Sequence, residues 1–307
     1  MDYVVKTTGL TKKIRGKNLV SDINLHIHRG EIYGFLGQNG AGKTTIMKML
    51  TGITNPTNGE IELFGQRLNE GSKSVLKRVG SIIEYPILFE HLTAMKNMKI
   101  HCEYLGYYDD KGIKQALDMV QLKGIEDKKV KEFSLGMKQR LGIARAIVTK
   151  PELIILDEPI NGLDPIGIKD IRDLILILNK EYGITVLLSS HILGEMEQVV
   201  NRIGVIDNGR LLREITLDEI RKQQTDYIEI LTTNVERAVY LLEDKLHITN
   251  MKIIHGNRIR IYNLTHSQNA ISKMLILHDI GLEEIQKHTS SLEDFFYKQI
   301  NGGGQID

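Results

Sequence analysis

The chain has 307 residues, of which 40 are basic and 39 acidic, and it contains a single cysteine, Cys102. This length accommodates one large domain and a smaller one, and the formal charge of +1 gives no support for a nucleic-acid partner. A lone cysteine excludes an intrachain disulfide framework. With no signal-peptide pattern and no apolar run near the roughly 20 residues that span a bilayer, we expect a soluble protein that meets a membrane through a partner.

The first chemically informative segment is rich in glycine and lies between a predicted strand over 31–36 and a predicted helix over 44–50. It reads Gly37-Gln38-Asn39-Gly40-Ala41-Gly42-Lys43-Thr44-Thr45, which fits the pattern G-x-x-x-x-G-K-[ST]. Such glycines let backbone N–H groups point at phosphate oxygens, and the helix N-terminus adds a positive dipole end. Lys43 then reaches the outer phosphates, and the Thr44 hydroxyl holds Mg²⁺. The segment therefore predicts a nucleotide-binding site. The alternative is a glycine-rich turn without a ligand, in which Lys43 and Thr44 fit the pattern by chance.

Residues 1–220 alternate short apolar strands with helical segments, which predicts a layered α/β domain. The other predicted elements of this domain are a strand over 20–27, a strand over 60–64, a helical region over 90–125, strands over 153–156 and 184–188, and a tight hairpin at 207–209. The strands over 153–156 and 184–188 are unbroken apolar runs, which indicates a parallel sheet that is covered on both faces.

Two carboxylates directly follow the apolar strand over 153–156. A strand that ends in Asp157 can place this group beside the phosphates, where it holds Mg²⁺ directly or through water. Glu158, the next residue, is the predicted group that orients and deprotonates the attacking water. The alternative is an acidic pair that faces solvent at the strand end.

Residues 221–307 have a different pattern of predicted strands and helices from residues 1–220, and they form a predicted accessory domain. The predicted order is a strand over 227–232, a helix over 234–246, strands over 251–255 and 258–263, a helix over 267–280 and a strand over 282–288. This βαββαβ order is typical of a small ferredoxin-like unit. A last helix over 292–300 precedes a glycine-rich tail that is predicted to be disordered. No ligand-binding constellation is evident in this domain.

Upstream of the Asp-Glu strand end, a Ser-x-Gly segment opens a predicted helix. It reads Phe133-Ser134-Leu135-Gly136-Met137-Lys138-Gln139-Arg140, and Ser134 is the predicted N-cap. The order and spacing of the glycine-rich segment, this segment, the Asp-Glu strand end and a strand that ends in His191 resemble the ATPase subunits of ABC transporters. This resemblance implies the ABC-type fold of P-loop NTPases, with a RecA-like core, an antiparallel β subdomain and a helical subdomain.

The resemblance also implies a dimer in which two chains sandwich two ATP molecules. Ser134 and Gly136 of one chain would contact the γ-phosphate held by the other, although the family consensus Leu-Ser-Gly-Gly-Gln is changed at Phe133, Leu135 and Met137. Asn161-Gly162-Leu163-Asp164-Pro165 matches the loop that crosses the dimer interface, with Asp164 as its carboxylate. His191 matches the switch histidine that senses the γ-phosphate.

Two positions depart from the family pattern. Glu84 stands where most relatives have glutamine, so it can accept a hydrogen bond from the attacking water or approach Mg²⁺; the alternative is an exposed glutamate. Ile14 stands where an aromatic side chain normally stacks on adenine. Loss of that stacking weakens adenine discrimination by roughly 1–3 kcal/mol, which leaves the preference between ATP and GTP open.

Glu84, the Ser-x-Gly segment, residues 161–167 and Leu292-Glu-Asp-Phe-Phe296 together are similar to the ATPase subunits of bacterial exporters for bacitracin and lantibiotic peptides. This resemblance implies an ATP- and Mg²⁺-dependent homodimer on the cytoplasmic face of the membrane. Separately encoded permease subunits would contact the region from Tyr85 to about Tyr108. Two alternatives stay open: a soluble ABC-type ATPase that acts in regulation, translation or DNA repair, and a nucleotide-dependent sensor whose C-terminal domain binds a ligand.

Overall fold

The structure is a computed structural model that describes residues 3–69, 73–223, 226–262 and 265–288. The strands are β1 (Tyr3–Ile14), β2 (Lys17–Ile23), β3 (His26–His28), β4 (Ile32–Leu36), β5 (Asn58–Leu63), β6 (Gln66–Arg67), β7 (Val79–Ile82), β8 (Leu153–Leu156), β9 (Thr185–Ser190), β10 (Arg202–Asp207), β11 (Arg210–Thr216), β12 (Tyr227–Thr232), β13 (Met251–Ile254), β14 (Arg258–Ile261) and β15 (Leu282–His288). The helices are α1 (Lys43–Leu50), α2 (Lys73–Leu76), α3 (Ala94–Leu105), α4 (Asp110–Met119), α5 (Leu135–Ile147), α6 (Pro165–Lys180), α7 (Leu193–Glu197), α8 (Leu217–Gln223), α9 (Val235–Leu246) and α10 (Gln268–Leu277).

Contacts divide the described chain into two compact units, residues 3–217 and residues 218–288. The helix predicted over 292–300, the Leu292-Glu-Asp-Phe-Phe296 motif and the glycine-rich tail lie outside the described residues. Within the described ranges, no helix combines the length and the apolar character needed to cross a membrane.

A six-stranded sheet, in the order β11-β10-β4-β9-β8-β7, forms the centre of the first unit. The strands from β10 to β7 run parallel, and β11 pairs antiparallel with β10 at the edge. Every residue of β4, β8 and β9 is buried, which confirms the parallel sheet predicted from unbroken apolar runs. Because parallel strands end at the same edge of a sheet, the residues that follow β4, β8 and β9 come together there.

A second sheet of the first unit is antiparallel and contains β2-β1-β5-β6, with β3 also paired to β1. The prediction of one strand over 20–27 is wrong, because the chain divides there into β2 and β3, which pair with opposite ends of β1. Thr7 of β1 bridges the division: its hydroxyl donates to Ile23 O at 2.8 Å and accepts from Leu25 N at 2.9 Å. Thr7 N also donates to Leu25 O at 2.9 Å, so backbone and side-chain hydrogen bonds together hold the chain where the strand is interrupted.

The region 90–125, predicted to be helical, contains two helices, α3 and α4, with a break between them. The side chain of Thr93 caps the start of α3, and Gly106, with a left-handed φ of 66°, ends it. The carboxylate of Asp109 then caps α4. Both helices contact α5, so each buries one face against the helix that Ser134 opens.

The second unit contains a four-stranded antiparallel sheet in the order β13-β14-β12-β15, together with α9 and α10. The order of elements along the chain is the predicted βαββαβ. Ile228 and Ile230 of β12 belong to its apolar core, and Glu229 projects to the opposite face because side chains alternate along a strand. Glu229 accepts hydrogen bonds from Arg258 and Arg260 at 2.7 and 2.8 Å. Burial, the largest single cause, acts to raise the pKa of Glu229, but the hydrogen bonds and the positive charges of the two arginines together outweigh it, and the pKa is lowered.

His101 of α3 is partly buried against Arg145 of α5. Its Nε2 lies 3.1 Å from Arg145 O, and its Nδ1 lies 3.3 Å from Arg145 Nη2. Burial, followed by the positive charge of Arg145, lowers the pKa of His101 from 6.5 to about 4. The folded chain therefore keeps this imidazole neutral at pH values where the unfolded chain protonates it.

We expect the free energy of unfolding to decrease as the pH falls from 6.5 to about 4, because the unfolded state then binds a proton at His101 that the folded state does not. The full shift would correspond to about 3 kcal/mol, and because His101 is only partly buried, screening by solvent makes the contribution smaller than this. Urea unfolding of the wild type and of His101→Gln at stepped pH values measures it, and the variant should lack this part of the pH dependence. Equal pH dependence in the two proteins would contradict the assignment.

Candidate active site

Residues 37–42 connect the end of β4 to α1, at the edge where the parallel strands end, and Lys43, Thr44 and Thr45 begin the helix. Gly40 and Gly42 have φ angles of 83° and 110°, which other residues rarely adopt. A Cβ on Gly42 would meet Leu19 O at 3.1 Å, so the start of β2 packs directly on this loop. The first N–H groups of α1 have no partner within the helix. The loop and the helix terminus together form a geometry that suits a phosphate group.

The side chain of Lys43 is buried and lies inside the loop. Its Nζ donates to Gly37 O at 2.7 Å and to Gln38 O at 3.3 Å. The same atom is 3.7 Å from Glu158 Oε1. Lys43 therefore places a positive charge between the loop and the residue after Asp157, where an anionic ligand can bind.

Asp157, at the end of β8, is almost completely buried and is held by two hydroxyl groups. Thr44 Oγ1 donates to Asp157 Oδ2 at 2.7 Å, and Ser189 Oγ donates to Asp157 Oδ1 at 2.6 Å. Ser189 Oγ also accepts from Glu158 N at 2.9 Å. Ser189 was not predicted as a site residue, although its position two residues before His191 on the strand next to β8 was a usable signal.

Glu158 and His191 contact each other across the ends of β8 and β9. His191 Nδ1 lies 2.8 Å from Glu158 Oε2. Glu158 has a left-handed φ of 49°, and its Oε1 is buried with no hydrogen-bond partner among the described residues. A buried carboxylate oxygen with a free acceptor position can take a proton from a bound water molecule.

Lys43, Thr44 and Glu158 border a pocket of about 410 Å³. It is lined by residues 39–45, Glu158, Lys17, Asn18, Leu19, Asn208 and Gly209. The hydroxyl of Thr44 and the carboxylate of Asp157 supply the oxygen donors that a hard divalent cation prefers. No group of three or more His, Cys, Asp or Glu side chains is placed to hold a metal in the described part of the chain. Thr44 and Asp157 are thus the residues of this pocket that would supply oxygen ligands to such a cation.

Glu84 contacts Lys48 rather than Asp157. Lys48 Nζ lies 2.6 Å from Glu84 Oε1, and 53% of the Glu84 side chain is exposed. Lys48 lies one helical turn after Thr44 on α1. Glu84 is thus held near the helix that carries Thr44 by an ion pair between residues 36 positions apart in the sequence.

Ser134 and Asp164 both cap helices, as Ser134 was predicted to do. Ser134 Oγ accepts from Met137 N at 3.2 Å at the start of α5, and Asp164 Oδ1 accepts from Gly167 N at 3.1 Å at the start of α6. A Cβ on Gly136 would lie 3.9 Å from Leu163 Cδ2, so the two segments are neighbours. Ser134, Gly136 and Asp164 are not among the described residues that line the phosphate pocket of their own chain.

Comparison with known proteins connects these features to one family. Residues 20–161 match the ABC transporter family. The chain is 58% identical over 302 residues to YcbN of Bacillus subtilis (strain 168), an uncharacterized ABC transporter ATP-binding protein, with 98% of each chain covered. It is 44% identical over 303 residues to the bacitracin transport ATP-binding protein BcrA of Bacillus licheniformis, with 99% of each chain covered.

Solved structures give the same answer for the fold. The ATP-binding cassette MJ0796, in a dimeric post-hydrolysis state bound to ADP and Pi, is 27% identical with a TM-score of 0.62, and the match covers 69% of this chain and 98% of that one. The resemblance found in the sequence motifs is therefore confirmed. The matches to YcbN and BcrA extend over nearly the whole chain. This protein belongs to the ATP-binding, ATP-hydrolysing proteins of the ABC transporter family.

Proposed function

We propose that this chain drives a separately encoded membrane exporter for peptide antibiotics of the bacitracin or lantibiotic type. The observation that carries this proposal is the 44% identity to the bacitracin transport ATP-binding protein BcrA over 99% of both chains. The likeness includes the C-terminal part as well as the ATPase domain. It is therefore not limited to residues that ATP hydrolysis alone requires.

In this proposal Thr44 and Asp157 would hold Mg²⁺, which would offset the negative charge of the phosphate groups. Lys43 neutralises the outer phosphates, and Glu158 orients and deprotonates the attacking water. His191, 2.8 Å from Glu158, keeps that carboxylate in place and approaches the γ-phosphate. Positioning and charge stabilisation supply most of the catalysis in such a site.

Glu84 has a conditional role in the same proposal. Its carboxylate is paired with Lys48 at 2.6 Å, so it approaches the cation or the attacking water only when that ion pair opens. An exposed ion pair of this kind contributes about 0–1 kcal/mol, which is a small barrier to such a movement.

We further propose that two copies of the chain close over two ATP molecules. Ser134, Gly136 and Asp164 of one copy would complete the phosphate pocket of the other. Two features support this arrangement: Ser134 and Asp164 are exposed at neighbouring helix N-termini, and the related cassette MJ0796 is dimeric when bound to ADP and Pi. Helix N-termini carry the partial positive charge that a γ-phosphate requires.

The membrane subunit is proposed to dock in a groove of about 620 Å³ beside α5 and the segment after β7. Apolar side chains on the rim, among them Tyr85, Ile87 and Leu105, are largely exposed, with 80% of Ile87 accessible. Clustered exposed apolar side chains mark interaction surfaces. This groove overlaps the region from Tyr85 to Tyr108 that meets membrane subunits in the family.

The proposed organisation has an ATPase domain over 1–220 and an accessory domain over 221–307. The protein would sit on the cytoplasmic face of the membrane, held there by its permease subunits. The transported peptide would be selected chiefly by those subunits.

Replacing the proposed base tests the dimer. Glu158→Gln should reduce ATP hydrolysis by about 10²- to 10⁴-fold, because the amide cannot accept the proton from water, and should trap a dimer in the presence of Mg-ATP. Phosphate release and size-exclusion chromatography with light scattering measure the two effects. Glu181→Gln, at an exposed position after α6, is the matched control. A variant that stays monomeric with Mg-ATP would contradict the sandwich.

The hydroxyl of Ser189 is expected to position Asp157 for the cation. Ser189→Ala should raise the Mg²⁺ concentration needed for half-maximal ATPase activity by about 10- to 100-fold, the usual effect of losing a residue that orients a metal ligand. The control is Ser190→Ala, because Ser190 is equally buried but its hydroxyl accepts from Ile192 N. An unchanged Mg²⁺ dependence in Ser189→Ala would remove this role.

Isolation from detergent-solubilised membranes tests the exporter proposal. The tagged chain should bring down a multispanning membrane protein, and Ile87→Asp should reduce its recovery at least about tenfold, since a carboxylate is costly to bury in an apolar contact. Ile276→Asp changes an exposed isoleucine of the second unit and should have no effect. Recovery only from the soluble fraction, without a membrane protein, would favour a non-transport ATPase.

A further inference from the structure

The groove of about 620 Å³ beside α5 contains a positive charge that no carboxylate balances. Besides its apolar rim, its lining includes Arg145, His101 and Lys77, and none of the described residues that line it is acidic. We propose that the membrane subunit enters this groove with an apolar segment that bears one carboxylate, which pairs with Arg145. This inference rests on the exporter function proposed above and adds the chemistry by which the partner is recognised.

Two glycines bring the walls of the groove close together. A Cβ on Gly80 of β7 would overlap Ala146 O, and a Cβ on Gly142 of α5 would lie 2.6 Å from Pro86 Cβ. The helix α5 therefore packs directly on β7 and on the segment that follows it. Arg145 comes nearly one helical turn after Gly142, so both residues lie on the face of α5 that borders the groove.

The guanidinium of Arg145 has only uncharged partners within the described chain. Its Nη1 donates to Ile87 O at 2.5 Å, and its Nη2 donates to His101 Nδ1 at 3.3 Å. His101 Nε2 in turn donates to Arg145 O at 3.1 Å, so this network assigns the neutral imidazole with an unprotonated Nδ1. The Nε atom of Arg145 is buried with no hydrogen-bond partner among the described residues. Much of the donor capacity of this guanidinium is thus unused.

The charge of Arg145 lacks the counter-ion that comparable arginines of the first unit have. Arg78 and Arg172 are also partly buried, and they pair with Glu152 and Glu195 at 2.5 and 3.0 Å. Burial lowers the pKa of Arg145, and no described carboxylate opposes this effect. Because a desolvated charge without a partner is destabilising, a carboxylate that arrives with the membrane subunit would offset a cost that the chain alone leaves uncompensated. Arginine also binds carboxylates through two parallel hydrogen bonds.

The rim of the groove determines what must surround this carboxylate. Tyr85, Ile87 and Leu105 are largely exposed, so the segment that covers them must present apolar side chains. An amphipathic helix presents such a stripe to a groove, and membrane-spanning proteins of the helical class can extend such helices from the bilayer. A single carboxylate within the stripe would meet Arg145, whereas a polar acidic segment would leave the rim uncovered.

Binding of model peptides to the full-length protein tests the carboxylate pair without a membrane. The probe is a labelled helical peptide of about 15 residues, with a stripe of leucine and isoleucine and one glutamate at the centre of that stripe. Its matched probe has glutamine in place of the glutamate. Fluorescence anisotropy should give a dissociation constant at least about tenfold lower for the glutamate peptide, because only the carboxylate can pair with the guanidinium.

Variants of the chain assign this preference to Arg145. Arg145→Gln should bind the two peptides within about twofold of each other, and Arg145→Lys, which keeps the charge, should still prefer the glutamate peptide. Lys77→Gln removes an exposed cation of the same groove and should change the preference by less than about threefold. Thermal unfolding separates recognition from a structural role, since the Tm of Arg145→Gln should stay within about 4 °C of the wild type.

Several results would overturn the carboxylate pair. Equal binding of the two peptides by the wild type, or no binding of either, would mean that the groove does not select a carboxylate. A glutamate preference that persists in Arg145→Gln would place the recognition elsewhere. A larger loss of Tm in Arg145→Gln, together with loss of the preference in Arg145→Lys, would make Arg145 a structural residue.

Isolation from membranes keeps this inference distinct from the exporter proposal. If both hold, Arg145→Gln should recover the membrane protein at least about tenfold less well than the wild type does. Equal recovery by the two chains would support the exporter role and overturn the carboxylate pair. Recovery of no membrane protein by the wild type would contradict the exporter role, while the peptide measurements would still decide whether the groove binds a carboxylate.

Discussion

The carboxylate of Asp157 joins the elements on which the rest of the site depends. Asp157 directly follows β8, and its carboxylate accepts from Thr44 at the start of α1 and from Ser189 at the end of β9. Because Asp157 and Ser189 are nearly inaccessible to water, a carboxylate without its two hydroxyl partners would be costly there. Lys43, Glu158 and His191 lie beside this junction, so their relative positions follow from it.

Features that depend on neighbouring residues were predictable from the sequence. The apolar runs of β8 and β9 predicted buried parallel strands, and the Asp207-Asn208-Gly209 turn predicted the hairpin of β10 and β11. Ser134 was recognisable as an N-cap because it directly precedes a helical run. The alternation of elements after residue 226 likewise predicted the βαββαβ order of the second unit. Each of these signals lies within a few residues of the feature that it predicts.

Features that depend on contacts between residues far apart in the sequence were not predictable in this way. Ser189 contacts Asp157 across 32 residues, and Lys48 contacts Glu84 across 36. The strand predicted over 20–27 is interrupted because Thr7, on another strand, bonds to both sides of the break. Glu229 is an unremarkable glutamate in the sequence, and only the register of β12 with β14 places two arginines against it. Tertiary context overrides the local pattern at each of these places.

The two ends of the nucleotide pocket belong to different sheets. The phosphate end follows β4 and β8 of the buried parallel sheet, whereas the other end borders the Arg15-Gly16 turn of the antiparallel sheet. A change at Gly42 or Asp157 disturbs close packing, while a change at the turn alters residues that are largely exposed. Surface substitutions usually alter stability by no more than about 0.5 kcal/mol. Substitutions at the turn can therefore change this wall of the pocket with little effect on the packing around Gly42 and Asp157.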